Sequence, residues 1–130
     1  MLKYLVVFFL ISSTYGFSQD LDCTDFRTGE FRYTDPNLSG VIVIRTEKLQ
    51  IERYEETGEE MHLYIDWISE CEYTLTIKKI VNPNPKRPKT NMTGKELPVK
   101  ILKIEGNIMT YSSTFEGIEL KGDLQKILDN

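Results

Sequence analysis

The chain has 130 residues, 16 basic against 20 acidic, and a formal net charge of −4. That acidic balance favours solubility and argues against a nucleic-acid partner. Two cysteines and a single histidine make a metal site improbable, and the length suits one domain.

In chain order, the first feature is Lys3 followed by the apolar run Leu5–Ile11, closing on the small-x-small pattern Gly16-Phe17-Ser18. These are the parts of a secretory signal peptide over residues 1–18, cleaved near Ser18. The apolar run falls well short of the ~20 residues a membrane helix needs. Asp22, not a small residue, precedes Cys23, so the pattern for lipid anchoring is missing and the product reads as soluble and exported, periplasmic or extracellular. Residues 19–130 then form a single domain with 15 basic and 20 acidic residues, since Lys3 is lost with the leader. Such a length buries about two-thirds of its unfolded surface.

From Asp22 to Lys79 the sequence predicts five short strands. Phe31 and Tyr33 alternate with polar residues, Val41–Arg45 is a compact β-branched run, and Leu49–Tyr54 alternates again before the polar tip Glu55–Glu60. Met61–Trp67 and Cys71–Lys79 then form the clearest pair. Cys71, Tyr73, Leu75 and Ile77 share one face, while Glu72, Thr74, Thr76 and Lys78 share the other. The short connection between these runs predicts a hairpin.

Residues 82–98 differ, with four prolines, a glycine and no apolar period, and they predict a long irregular loop. Lys86, Arg87, Lys89 and Lys95 make it basic, which suits either an anionic partner or a solvated tip. Charge is uneven along the chain: acids crowd residues 47–73 and bases crowd 78–103, and the two faces should attract within the fold. After the loop, strands are expected at Val99–Ile104, Ile108–Phe115 and from Ile118 to the end, with Gly122 marking a bulge or bend. The fold class is therefore all-β, with about eight antiparallel strands in an up-and-down barrel or a β-sandwich.

Both cysteines lie beyond the leader, and an exported pair oxidises. A Cys23–Cys71 disulfide closing a loop of nearly fifty residues contributes up to about 4 kcal/mol in the chain-entropy model.

Little in the sequence suggests catalysis. His62 is the only histidine and sits among acids at a strand start; there is no phosphate loop and no zinc spacing. The expectation is a non-enzymatic protein without a cofactor. Arg45, Glu52 and Trp67 all fall on predicted strands, where the guanidinium could meet the indole or the carboxylate, as a plug closing one end of the barrel or as a site that orients a ligand. Tyr73 and Tyr111, with Phe31, Tyr33 and other aromatics, would either fill the interior or leave room for one small apolar ligand.

The segments C-x-x-F-R-T-G-E-F at Cys23–Phe31, R-x-x-x-x-Q-I-E at Arg45–Glu52, W-I-S-E-C-E-Y-T-L at Trp67–Leu75 and K-I-L at Lys100–Leu102 resemble a family of small exported proteins of Bacteroidota, some labelled as a DNA topoisomerase IV subunit. An acidic chain of this size does not suit that label. Many relatives carry a lipoprotein cysteine at the end of the leader, where this chain departs. A likeness to lipocalin-type barrels follows from strand count. Together these imply a binding or envelope-accessory protein holding a small apolar ligand or contacting an envelope component. The alternative is a protein–protein module acting through the 82–98 loop or a strand edge.

Overall fold

The computed structural model describes residues 21–88 and 90–127, so the expected leader and Lys89 lie outside the described residues. The alternating segments form eight antiparallel strands: β1 (Gly29–Tyr33), β2 (Val41–Arg45), β3 (Leu49–Tyr54), β4 (Glu60–Ser69), β5 (Glu72–Val81), β6 (Glu96–Glu105), β7 (Ile108–Phe115) and β8 (Ile118–Lys126). Each pairs with the next, and β8 returns to β1 through Phe31↔Lys126, Arg32↔Gln125 and Tyr33↔Leu124, closing an up-and-down barrel. Closure removes the free edges that a sandwich would leave. Among the described residues the only helical pieces are 3-10 turns at Thr24–Phe26 and Pro36–Leu38.

Period two decides which side chains enter. Val41, Val43 and Arg45 of β2, Leu63 and Ile65 of β4, Tyr73, Leu75 and Ile77 of β5, and Val99 and Ile101 of β6 are all buried. Their alternates face solvent, as half-buried strands require.

The two ends of the barrel differ. One carries the β2–β3, β4–β5 and β6–β7 turns together with the N-terminal segment. There the Cys23–Cys71 disulfide, Cα–Cα 5.5 Å, holds the 3-10 turn whose Phe26 stacks on Phe31 at 6.0 Å. Lys126 Nζ donates to the Asp25 carbonyl at 2.5 Å, tying the same segment to β8. This end is closed.

The 82–95 loop crosses the other end. Its Gly94 N–H donates to Ile77 O at 2.8 Å, and the Ile77 N–H donates to Lys95 O at 3.0 Å. The irregular segment is shorter than the sequence suggested, because Glu96–Pro98 already belong to β6. They pair with β5 (Thr74↔Pro98), while the β6–β7 ladder begins only at Val99↔Ser113, so the missing proline N–H removes no bond on that side.

Gly122 is not a bulge, since β7 and β8 stay in register through Tyr111↔Gly122. Glycine is required there by space. A Cβ at this position would lie 2.5 Å from Tyr111 Oη and 2.8 Å from Tyr111 Cζ. Gly122→Ala should therefore destabilise the barrel by about 1–3 kcal/mol, and the double variant with Tyr111→Leu should recover most of that loss. Urea midpoints of the two variants check this, and equal stability of G122A and wild type would refute the close approach. Cys71→Ser should lower stability by up to about 4 kcal/mol in the same assay.

Candidate functional site: a cavity floored by a buried polar chain

Eight strands set a circumference that the side chains do not quite fill. A cavity of about 300 Å³ remains inside the barrel, floored by Arg45, Gln50, Glu52 and Tyr73 and walled by Leu63, Leu75, Val99, Tyr111 and Ser113. Met92, Phe115 and the exposed Leu120 stand at its outer end, so it reaches the surface beneath the 82–95 loop. A cavity of this size is at the small end of ligand sites.

The floor is a continuous hydrogen-bonded chain. Arg45, 3 % exposed, donates from Nε to Gln50 Oε1 at 2.7 Å, from Nη1 to the Phe26 carbonyl at 3.0 Å and from Nη2 to Tyr73 Oη at 2.5 Å. Its guanidinium also lies 4.6 Å from the Tyr73 ring centroid and 5.3 Å from that of Phe31. Gln50 passes the chain on, donating from Nε2 to Glu52 Oε1 at 3.2 Å, and Tyr33 Oη donates to the same oxygen at 2.7 Å. A buried charge is tolerated when it is paired and fully hydrogen-bonded. Here a neutral amide stands between the guanidinium and the carboxylate.

Burial sets the proton affinities. Loss of water pushes the Glu52 carboxyl up, and the bonds from Tyr33 and Gln50 and the charge of Arg45 only partly oppose this. Burial pushes Tyr33 well above the ordinary phenol range, with the nearby Glu52 charge adding to it. Tyr73 also rises through burial, against the pull of Arg45. Tyr111 is pushed up to about 12 by burial, then by Tyr73 and Glu52. Ser113 is 5 % exposed and its Oγ finds no hydrogen-bond partner among the described residues.

The sequence-predicted residues separate into two groups. Arg45, Glu52, Tyr73 and Tyr111 come together at the cavity. Trp67 does not: it packs outside the lining, 4.7 Å from Tyr73, and Arg27 rather than Arg45 stacks on it at 4.7 Å. Arg45 instead sits on Phe31 and Tyr73, because Tyr73 lies between it and the indole. Gln50, Ser113 and the Phe26 carbonyl were not singled out by sequence. Gln50 is an inward position on β3, and its polarity beside the inward Arg45 was the available signal.

In the basic loop, Arg87 Nη2 pairs with Glu59 Oε1 at 2.6 Å and lies 5.3 Å from the Tyr54 ring, while Lys95 pairs with Glu116 at 2.7 Å. Lys86 is exposed. Glu59, which reads in sequence as part of a solvated acidic tip, is 1 % exposed and also accepts the Asn84 N–H at 2.6 Å. His62 pairs with Glu60 at 3.0 Å. No group of three or more His, Cys, Asp or Glu side chains suited to a metal occurs among the described residues.

Compared with known protein families, characterised proteins and solved structures, the chain matches none.

Two consequences can be measured. Arg45→Met should cost about 3–5 kcal/mol, because it leaves Gln50 Oε1, Tyr73 Oη and the Phe26 carbonyl buried without their donor, and Arg45→Lys should not restore it, since a compact ammonium lacks the spread of the planar guanidinium fork. Denaturation midpoints decide this, and an unchanged midpoint for R45M would reject the floor as a stabilising element. Tyr33, Tyr73 and Tyr111 have folded-state affinities raised above the phenol value of 10. Their contribution to stability is therefore full below that pH and is lost as pH rises through the folded values, about 12 for Tyr111. A tyrosinate absorbance titration should show these three ionising late, together with loss of the fold.

Proposed function

We propose that the protein is a non-enzymatic, exported carrier that holds one small apolar ligand inside its barrel. The observation that carries the reading is the cavity itself: mostly apolar walls, a polar floor at the closed end and an outer end at the surface. A barrel evolved only as a rigid scaffold would bury its interior tightly, since empty apolar volume is destabilising. Eight-strand barrels of this kind either fill or hold a single small ligand, and here the space is left.

The wet face supports a water-soluble protein. Outward positions carry Lys100 and Lys103 on β6 and Glu119 and Lys121 on β8, all exposed, while the interior is apolar. A lipid-spanning barrel has the reverse arrangement. No helix of the described residues is long and apolar enough to cross a membrane. A Cys23–Cys71 disulfide is compatible with an oxidising compartment. A role as a protein-binding element for the basic loop, irregular over residues 82–95, is the second reading, favoured by its position at the open end and by exposed Lys86.

The test is uptake of the fluorescent apolar probe N-phenyl-1-naphthylamine. One probe per chain should bind with enhanced emission, and Val99→Phe, which places a ring in the cavity, should abolish uptake while leaving the circular dichroism unchanged. Absence of uptake by the wild-type protein, or full uptake by V99F, would sink the carrier reading.

A further inference from the structure

Resting on the carrier reading, we infer that the ligand is a small apolar primary amine, whose ammonium group is held by the Glu52 carboxylate within a cluster of tyrosines. Which polar atoms of the cavity are still free decides what it can bind. Arg45, the only cation on the lining, is committed to Gln50, the Phe26 carbonyl and Tyr73. An incoming carboxylate would find that guanidinium already engaged and Glu52 beside it. Like charges in an enclosed, water-poor space repel strongly.

Glu52 is placed differently. Both of its assigned bonds, from Tyr33 Oη and Gln50 Nε2, go to the same oxygen, Oε1. A carboxylate offers about four acceptor sites over two oxygens, so Oε2 retains capacity for a donor from the cavity side. Tyr33 and Tyr111 line the same space, and a cation is attracted to the faces of such rings, whereas the Tyr73 ring is already engaged by Arg45 and Trp67. The unpartnered Ser113 Oγ is a second, independent sign that a polar group belongs here. It is nine-tenths buried, lies on the cavity wall and can accept a hydrogen bond from an N–H.

An ammonium supplies three donors, of which Glu52 Oε2 can accept one and a Tyr33 or Tyr111 hydroxyl or ring face another, while Ser113 lies across the barrel on β7. It also complements charge: the one carboxylate of the lining shares its cation with a relay through Gln50, not with a direct ion pair. An alcohol of equal length offers a single donor and no charge, and should bind more weakly. The apolar walls of Leu63, Leu75 and Val99 then cover the hydrocarbon part.

The experiment is a calorimetric titration of the full-length mature protein with octylamine, octanol and octanoate at neutral pH. The expected order is amine, then alcohol, with octanoate weakest, and at least about tenfold between the extremes, the range expected of charge-assisted hydrogen bonds. Glu52→Gln keeps the shape and should lower amine affinity about tenfold while leaving octanol affinity unchanged. Ser113→Ala, on the wall opposite Glu52, should change amine affinity far less than Glu52→Gln does. Competition with N-phenyl-1-naphthylamine confirms the location. If octanol or octanoate binds as well as the amine, or E52Q leaves the amine unaffected, the amine inference is overturned while the carrier reading stands. If neither the probe nor any of the three enters the wild-type cavity, both are overturned.

Discussion

A guanidinium taken out of water has to be given back the hydrogen bonds it surrendered, and the closed end of this barrel is organised by that requirement. Arg45 receives one partner from each of three different parts of the chain: a side chain on β3, a hydroxyl on β5 and a backbone carbonyl in the N-terminal turn. Each bond fixes the position of an element that would otherwise be held by apolar contact alone, which is not directional. The disulfide acts on the same segment from outside. Cys23 lies three residues before Phe26, so anchoring it to Cys71 keeps the carbonyl where Arg45 needs it. Plug and staple are thus one device.

The cavity follows from where large side chains are withheld. Ser113 and Gly122 are small inward positions on adjacent strands, and the Tyr111 side chain lies against Gly122. Interiors pack to crystal-like density when sequence allows. Small residues at these positions help leave free volume in the cavity that Glu52 lines. The floor and the space above it are in this sense specified together, by residues on β3, β7 and β8.

Much of the architecture was legible because alternation is a local signal. Eight runs of inward and outward residues, separated by short polar breaks, read as antiparallel neighbours, and the Met61–Trp67 and Cys71–Lys79 pairing needed only their short connection. Closure was not legible in that way. The β1–β8 register depends on contacts nearly a hundred residues apart. At the site, Arg45 stood out as the charge ending the apolar run Val41–Ile44, and Glu52 as a charge on a predicted strand. Their partners did not, because a carbonyl such as that of Phe26 carries no sequence mark, and an amide such as Gln50 is ordinary on a surface. Glu59 shows the same difficulty: only the folded loop reveals that Asn84 and Arg87 reach it, although the opposed charge of the two segments foreshadowed their attraction. Trp67, the rarest residue, drew attention that its position outside the lining does not repay.

A barrel whose first strand pairs with its last cannot be finished until both exist. Phe31 has no β-partner on one side until Lys126 arrives, and the plug rests on Lys126 as well. Partial chains therefore expose an unsatisfied strand edge and an apolar interior, and native closure comes as a late, long-range event. Long-range pairing of this kind folds slowly, in milliseconds to seconds. The enclosed interior therefore belongs only to the whole sequence from β1 to β8: a chain lacking either strand has no closed cavity to offer.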